Sequence, residues 1–408
     1  MNVPETGGEA ETVGLVTGGH FLSHFYLLTF PPLFPLLRSE FALSNAQLGL
    51  LVSVISVAML LQVFVGDLVD RVGAKRVFVF GVATTSIGVL LAGTATSYLA
   101  LLAFATISGI GQSTFHPADY PLVEIVSDPD RVGKNFSIHT FGGYVGFAAA
   151  PLVVGTLGIG YGWRTALLVV GGVGVAYAIL AALTLRPVYR ANMERLETRS
   201  GSSGSNLRAT LLRPEILIMA AFFGVFAMAG GGIRTFTPIL AIDGFRLSET
   251  VGNTGLSVFF AMTAVAVLAG GILADRYDPR YVITAATATA ATTVFVTVGG
   301  VLPIGSIPFV ALFGIAGGAY GLVFASRDRL VSTYSASGST GRSFGFVFAV
   351  SSVGSLISPV LLGVVIDVST AALAFVLIGG FFLLSGLVVL AIDVGRPPLV
   401  ARLRKPSE

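Results

Sequence analysis

The sequence predicts an all-α polytopic membrane protein with twelve transmembrane helices. Of its 408 residues, 54% are hydrophobic and only 11% are charged, whereas a soluble domain carries about 25% charged residues. Apolar runs that reach the roughly 20 residues needed to cross a bilayer recur along the whole chain. The second half also repeats features of the first half at a nearly constant offset. Together with a mean hydropathy of +0.87, these observations exclude a soluble globular protein.

The apolar runs fall into two sets of six, bounded by charged residues or by Gly, Pro and Asp clusters. An N-terminal tail, residues 1–13, precedes a first bundle over 14–185, and a second bundle covers 214–392. A polar linker, 186–213, joins them, and its Gly201–Ser205 run is typical of a flexible surface tether. A short tail, 393–408, follows the last span. The predicted spans are 14–37, 46–66, 76–96, 99–122, 136–158, 164–185, 214–241, 250–273, 281–300, 305–326, 342–365 and 371–392.

The distribution of basic residues predicts that both termini are cytoplasmic. With the N-terminus inside, the inner loops and tails carry 20 of the 24 Lys and Arg residues, while the outer loops carry 3. Cytoplasmic loops are enriched in Lys and Arg, so this asymmetry fixes the orientation. We expect an integral protein of the cytoplasmic membrane. The net charge of +3 is explained by these loops, and we expect no nucleic-acid partner.

Three separate regions indicate a six-helix duplication. The loop Gly66–Lys75 after the second span recurs as Gly271–Arg280 after the eighth, at an offset of 205. The Phe30-Pro-Pro32 sequence of the first span is echoed by Phe236-Thr-Pro238 at an offset of 206. An offset of 208 relates Gly146, Pro151 and Gly155 to Gly354, Pro359 and Gly363.

The repeated loop resembles the signature Gly-x-Leu-Ala-Asp-Arg-x-Gly-Arg-Lys/Arg of the major facilitator superfamily. The first copy matches it at Gly66, Leu68, Asp70, Arg71, Gly73 and Lys75, and the second at Gly271, Leu273, Ala274, Asp275, Arg276 and Arg280. Ala74, Asp278 and Pro279 depart from it. The resemblance implies two six-helix bundles around a central cavity that rock to give alternating access. It also implies that the loop residues latch the two halves on the inner face, and we expect a monomer in the lipid bilayer.

A second, shorter resemblance lies in the fourth predicted span. The stretch Gly109–Ala118, with Gly109, Gly111, Phe115, His116 and Pro117, is similar to a Gly-x-Gly-x-x-x-Phe-His-Pro segment of fosmidomycin-resistance-type efflux members. This segment favours proton-coupled drug export as an alternative to import of an organic anion.

All four histidines fall in predicted spans 1, 4 and 5. Ionisable groups at membrane depth are costly, so each one is a candidate functional residue. On a helix, Gln112, His116 and Asp119 share one face, and a His near an Asp can titrate near neutral pH. We therefore predict that His24, His116 and Asp119 carry proton coupling, with His24, Gln112 and His116 in the substrate cavity. For His20 and His139, which lie near span ends, hydrogen bonding to a backbone carbonyl is the simpler interpretation.

Arg234 is the only basic residue predicted inside a span. The preceding Gly230-Gly-Gly232 and the following Pro238 would loosen the helix, and irregular backbone is tolerated where it lines a cavity. We expect Arg234 to contact an anionic substrate group, with Thr235, Thr237 and Tyr320 as polar cavity residues. The alternative is that Arg234 pairs with Asp243 or Glu40 as an outer gate.

Opposite charges at repeat-related positions suggest a cytoplasmic gate. Asp119 and Arg327 are separated by the repeat offset of 208. We predict an Asp119 to Arg327 bridge in the outward-open state. Pairing of Arg327 with Asp328 remains the alternative.

Several chemistries have no sequence support. The chain contains no cysteine, no Gly-x-x-x-x-Gly-Lys-Ser/Thr phosphate loop and no His-Glu-x-x-His motif. We therefore predict no catalytic residue, no metal, no cofactor and no enzymatic activity. The expected function is secondary active transport of a small solute, an organic anion, coupled to protons. A passive facilitator or a sensor without ion coupling stays open.

Overall fold

The computed structural model describes residues 6–185, 212–335 and 340–392, and its regular elements there are helical. The predicted C-terminal tail, most of the linker 186–213 and the first residues of the N-terminal tail lie outside the described residues. We number the helices as follows: α1 Thr6–Leu27, α2 Phe34–Phe41, α3 Asn45–Met59, α4 Gln62–Val72, α5 Ala74–Ala92, α6 Tyr98–Gln112, α7 Phe115–Val126, α8 Val132–Tyr161, α9 Trp163–Thr184, α10 Pro214–Ile239, α11 Glu249–Arg276, α12 Pro279–Val298, α13 Ser306–Tyr334, α14 Thr340–Val368 and α15 Ala371–Leu390.

The described residues contain ten helices that are long and apolar enough to cross a membrane, or eleven if the pair α3 and α4 counts as one span bent by 43°. The first predicted span is not among them. It is built from α1, a short 3-10 turn at Pro31–Leu33 and α2, because consecutive prolines remove backbone donors and interrupt the α-helix. The structure therefore confirms an all-α polytopic membrane fold, but not the count of twelve spans.

The same packing arrangement occurs in both halves. Helix α1 packs on α8 in the first half, and α10 packs on α14 in the second. In each pair a glycine allows backbone contact. A Cβ at Gly146 would lie 2.2 Å from the carbonyl oxygen of Phe21, and a Cβ at Gly354 would lie 2.2 Å from that of Gly224. Small residues permit such close helix approach in membranes, so the repeated glycines have the same structural role in both halves.

The halves meet through α3 against α14 and α8 against α11. Asp367, near the end of α14, accepts hydrogen bonds from the backbone N–H groups of Asn45 and Ala46, at 2.8 and 2.9 Å. These are the first residues of α3, where exposed N–H groups and the helix dipole favour a carboxylate. We call this end of the molecule the Asp367 face. The other end, where α4 ends, is the Asp70 face.

Close backbone contact extends along the joint between α3 and α14. A Cβ at Gly49 would lie 2.1 Å from the carbonyl oxygen of Pro359, and one at Gly363 would lie 2.4 Å from that of Asn45. Ser53 donates a hydrogen bond of 2.7 Å to the carbonyl of Leu356. The halves are thus held together at the Asp367 face by contacts that leave no room for larger side chains.

This joint predicts that Gly49→Leu destabilises the protein. The new side chain would collide with the α14 backbone, and overpacking of this kind costs about 1–3 kcal/mol. We expect a lower melting temperature of the purified protein in detergent. Gly172→Leu on α9 is the matched control, because a Cβ there meets nothing within 4 Å. Equal melting temperatures for the two variants would show that the joint is not closely packed.

Candidate functional site

Four histidines from three helices gather around one buried carboxylate. Asp119 on α7 is fully buried, and its Oδ2 accepts a hydrogen bond of 2.9 Å from Nδ1 of His20 on α1. Nε2 of His139 on α8 lies 3.2 Å from the same oxygen. Nδ1 of His116 lies 3.9 Å from the other oxygen, Oδ1. We call Asp119 and the four histidines the histidine cluster.

His24 completes the cluster through ring contacts. Its ring centroid lies 4.3 Å from that of His20 and 4.3 Å from that of Phe147. Gly143 of α8 makes room for this arrangement, because a Cβ there would lie 2.6 Å from the His20 ring and 2.7 Å from Nδ1 of His24. Nδ1 of His24 is buried and has no hydrogen-bond partner in the described part of the chain.

Burial within the histidine cluster runs from complete to partial. His139 and Asp119 are fully buried, and His20 is 3% exposed. His116, in contrast, has a side chain that is 44% exposed. His116 is therefore the member through which protons or a solute could reach the buried carboxylate.

The cluster contains two residues whose roles sequence analysis missed. His20 and His139 were expected to bond backbone carbonyls, but both face Asp119. The signal that could have identified them is the packing of α1 and α7 on α8, which a single sequence does not reveal. His116 and Asp119 do come together, as the shared helix face predicted.

Three predicted cavity residues already form hydrogen bonds within the protein. Gln112 is 4% exposed and exchanges hydrogen bonds with Ser23, whose hydroxyl donates to Gln112 Oε1 at 2.7 Å. Thr237 is fully buried and donates to the carbonyl of Ile233 at 2.6 Å. Thr235 is likewise buried and donates to the carbonyl of Gly231. Because their polar groups already form hydrogen bonds within the protein, these side chains are less available to bind a solute than Arg234 and Tyr320 are.

Arg234 on α10 is partly buried and pairs with no acid in the part of the chain that the structure describes. Its contact there is a hydrogen bond of 3.4 Å from Nη2 to the hydroxyl of Ser355 on α14. Tyr320 on α13 packs against α10 about one helical turn before Arg234, where a Cβ at Gly230 would lie 2.6 Å from the Tyr320 hydroxyl. That hydroxyl has no protein acceptor in the ranges that the structure covers. Two donors thus stand free on the second half, which suits an anionic group.

Asp243 and Glu40, the two acids that the outer-gate alternative assigns to Arg234, have other partners in this conformation. Asp243 forms a bidentate pair with Arg38, at 2.5 and 2.9 Å, across the two halves at the Asp367 face. Glu40 pairs with Arg164 at 2.6 Å. It also accepts a hydrogen bond from the Trp163 indole, which holds the pKa of Glu40 below its usual range. Neither acid is left for Arg234.

Aromatic rings connect the histidine cluster to the surroundings of Arg234. Phe147 stacks on Phe260 of α11 with centroids 4.9 Å apart, and Tyr144 meets Phe324 of α13 at 5.6 Å. Phe324 in turn lies 5.2 Å from Tyr320. We call these five side chains the aromatic bridge, since α8 supplies Tyr144 and Phe147 and the second half supplies Phe260, Tyr320 and Phe324.

Arg327 lies away from Asp119 in this conformation. It pairs with Asp328 at 3.1 Å, and its guanidinium lies over the rings of Phe324 and Phe223, at 4.2 and 4.8 Å. The predicted bridge to Asp119 concerns the outward-open state and stays a prediction. The observed Asp328 pairing is the alternative stated from the sequence.

The repeated loop residues are largely exposed at the Asp70 face. Asp70, Arg71 and Gly73 are exposed, and so are Asp275 and Arg276. In the second copy, Arg280 is buried and bonds both Asp278 and the carbonyl of Ile392. The hydrogen bond from Arg280 holds the pKa of Asp278 below its usual value. Of the remaining predicted loop residues, Gly66 is exposed, and Lys75 and Gly271 are partly buried.

The cluster also has the spacing that a divalent ion would need. His20, His116 and Asp119 each place one nitrogen or oxygen within 4.8 Å of the others. However, His20 already donates a hydrogen bond to Asp119. This hydrogen bond occupies only one of the two carboxylate oxygens, since Asp119 Oδ1 is buried and has no hydrogen-bond partner among the described residues.

Comparison with known proteins gives a family match over nearly the whole chain. The family model described as Major Facilitator Superfamily matches residues 16–256 and 227–407. The chain is 26% identical over 384 residues to the fosmidomycin resistance protein of Escherichia coli (strain K12), covering 89% of this chain and 88% of that protein. It is 25% identical over 357 residues to the uncharacterized MFS-type transporter YfnC of Bacillus subtilis (strain 168), covering 85% and 84%.

Solved structures share the fold at low sequence identity. A bacterial homolog of the human lysosomal transporter Spinster, in an inward-facing and occupied conformation, aligns with a TM-score of 0.81 and 16% identity over 95% of this chain and 97% of that one. The nucleoside transporter NupG aligns with a TM-score of 0.78 and 15% identity, over 94% and 99%. These similarities support the predicted fold class.

The histidine cluster predicts that Asp119→Asn lowers the melting temperature of the protein. The charged acceptor of the buried His20 would be lost, and a hydrogen bond to a charged group contributes about 1.5–3 kcal/mol. Glu124→Gln, on the same helix, is the control. Glu124 is partly buried and has no described ion pair or hydrogen bond among residues 6–185, 212–335 and 340–392. If Asp119→Asn melted at or above the temperature of the control, the carboxylate would not stabilise the cluster.

Proposed function

The chain belongs to the major facilitator superfamily, and from this premise we propose that it transports a small organic anion by alternating access, coupled to a proton gradient. The family consists of transporters rather than enzymes, and the chain is an integral membrane protein. The observation that carries the proposal is the pairing of two sites across the aromatic bridge. One is a buried carboxylate, Asp119, surrounded by histidines, and the other is a cation, Arg234, that has no acid partner within the described ranges.

Proton exchange at the histidine cluster follows from its composition. Histidine changes charge near neutral pH, and Asp119 lies next to three imidazoles that can share a proton with it. His116 is the exposed entry, and Asp119 with His24 is the inner part of the path. The other titratable groups around the cluster are Tyr120 and Tyr144, with Arg327 and Asp328 farther along α13.

Anion binding is assigned to Arg234 and Tyr320 of the second half. A guanidinium donates paired hydrogen bonds to a carboxylate or phosphonate, and the Tyr320 hydroxyl adds a neutral donor. Because Arg234 is partly buried and lacks a neutralising acid among the described residues, a solute carboxylate would satisfy it. Protons on the first half and the anion on the second would then move together when the halves rock.

Export is the second candidate, and the relative from Escherichia coli favours it. That protein is named for fosmidomycin resistance, and it aligns with 89% of this chain. The fourth-span segment Gly109–Ala118 resembles that branch as well. In this alternative the proton and the solute cross in opposite directions.

We also propose that both termini are cytoplasmic, whichever direction the solute takes, on the basis of the charge distribution in the loops.

Transport by reconstituted protein tests the proposal. We would record currents on a solid-supported membrane with monocarboxylates, sugar acids, phosphonates and lipophilic cations, each with and without a pH gradient. We expect currents with anions that depend on the gradient. Arg234→Ala should weaken the apparent affinity about tenfold or more, since loss of one charge-assisted contact costs about 1.5–3 kcal/mol. Its control is Lys134→Ala, which removes an exposed cation in the first turn of α8.

The outcomes separate the candidates. The direction of the pH gradient that drives the current distinguishes the two coupled modes. These are import of the solute together with protons and export of the solute in exchange for protons. Currents of the same size with and without the pH gradient would instead indicate a passive facilitator. A response confined to lipophilic cations, unchanged by Arg234→Ala, would reject anion transport and assign the protein to drug efflux.

The histidine cluster predicts separate effects on coupling and on solute binding. In His116→Ala, uptake driven by a pH gradient should fall about a hundredfold, which is the low end for loss of a positioned proton-transfer group. Solute exchange without a gradient should stay near the wild-type rate. Equal losses in both assays would place His116 in solute binding or in folding rather than in coupling.

A double-mutant cycle tests the Asp119 to Arg327 bridge of the outward-open state. If the two residues pair during transport, Asp119→Asn and Arg327→Gln should each slow solute exchange, and the double variant should be no slower than the worse single variant. Interacting residues give such non-additive effects. Independent, multiplying effects would exclude the bridge and leave Asp328 as the partner of Arg327.

A further inference from the structure

We infer that the transported anion carries an aromatic ring, which binds among the side chains of the aromatic bridge while Arg234 and Tyr320 hold its acid group. This inference rests on the proposed function, because it specifies the class of anion. It goes further in assigning the apolar part of the solute to a second set of residues.

The aromatic bridge joins the two halves through ring contacts between three helices, α8 of the first half and α11 and α13 of the second. Tyr144 meets Phe324 edge to face, with centroids 5.6 Å apart and planes at 74°. Phe147 and Phe260 are stacked at 4.9 Å and 25°. Both geometries are preferred by aromatic pairs, which gain energy beyond the area that they bury. A planar ring is thus the ligand shape that this surface recognises best.

Exposure divides the rings into a packed layer and an available layer. Phe147 and Phe260 are at most 7% exposed, and Phe226, which stacks on Tyr320 at 4.6 Å, is 2% exposed. Tyr144, Tyr320 and Phe324 are only partly buried. The packed rings hold the three partly buried rings in place. An apolar ring that entered between the halves would cover the exposed faces of Tyr144, Tyr320 and Phe324.

Polar atoms at the edges of the available layer have no protein partners. The hydroxyls of Tyr144 and Tyr320 make no hydrogen bond within the described ranges, and Nδ1 of His24 is buried without a partner. The ring centroids of His24 and Tyr144 lie 6.4 Å apart, and the Tyr320 hydroxyl lies against Gly230, about one helical turn before Arg234 on α10. Polar groups therefore flank a mostly apolar surface, as is usual for small-molecule sites.

The position of these rings also links binding to the motion of the halves. Tyr144 belongs to α8 of the first half, and Tyr320 and Phe324 belong to α13 of the second. A ring held by all three contacts both halves at once. A ligand shifts a conformational equilibrium only through contacts that differ between the states, so a solute that touches both halves is suited to drive alternating access.

Three probes of equal charge test the inference: benzoate, cyclohexanecarboxylate and acetate. Benzoate and cyclohexanecarboxylate share a six-membered ring and an acid group but differ in aromaticity. We would use proteoliposomes with the same fixed pH on both sides. There we would measure how strongly each probe inhibits exchange of the anion that gives the largest current in the transport experiment above. We expect benzoate to inhibit at about tenfold lower concentration than cyclohexanecarboxylate, which corresponds to one favourable aromatic contact or two.

Variants of the available layer identify the site. Phe324→Leu should reduce the preference for benzoate to about twofold, since an aliphatic side chain keeps the apolar area but not the ring contact. Tyr144→Leu should do the same, and inhibition by acetate should stay unchanged in both. The control is Phe80→Leu on α5, where Phe80 is 52% exposed and far along the chain from the bridge. Unchanged acetate inhibition also shows that the variants fold.

The results distinguish the inference from the proposed function. Equal inhibition by benzoate and cyclohexanecarboxylate, with both active, would overturn the aromatic site and leave anion transport standing. A benzoate preference that survives in Phe324→Leu and Tyr144→Leu would also overturn it. If no acid inhibits exchange at all, the anion proposal itself fails, and the inference fails with it.

Discussion

The burial of one carboxylate inside the membrane region constrains much of the first half. An ionised group removed from water costs several kcal/mol unless charges and hydrogen bonds compensate it. Asp119 is fully buried, so its neighbours must supply that compensation. They are His20, His116 and His139, which come from three helices. Helices α1, α7 and α8 must therefore meet at one depth, and Gly143 is required there because a larger residue would displace the His20 ring.

The two halves are held together by close backbone contacts rather than by a buried charge. At the Asp367 face, the contacts between α3 and α14 use backbone groups, because Gly49 and Gly363 bring the chains within van der Waals distance. Charged groups complete this end, with Asp367 on the start of α3 and Arg38 paired to Asp243. These contacts join helices of different halves, whereas the histidine cluster holds helices of one half together.

Sequence reasoning succeeded where periodicity and repetition carry the information. Long apolar runs define most spans within a few residues, and the repeated loop at Gly66 and Gly271 identifies the family. It failed where two prolines interrupt the first span, because the hydropathy of that segment is unaffected by the break. For the site, a helical face linked His116 to Asp119. The roles of His20 and Asp367 depend instead on which helices pack together. His20 contacts Asp119, 99 residues away, and Asp367 contacts Asn45, 322 residues away. Such long-range helix packing cannot be read directly from a single sequence.

Phe324 is where the elements of the proposed mechanism meet. Its ring contacts Tyr144 of the first half and Tyr320 beside the anion site, and the guanidinium of Arg327 lies 4.2 Å above it. A cation over an aromatic face gains stabilisation from the ring quadrupole, and a second partner on the same ring changes the surroundings of that cation. A solute ring bound at Phe324 would therefore alter the environment of Arg327. Because Arg327 is the residue predicted to reach Asp119 in the other state, Arg327 would give the proposed solute binding on one half a direct physical route to the proposed proton site on the other.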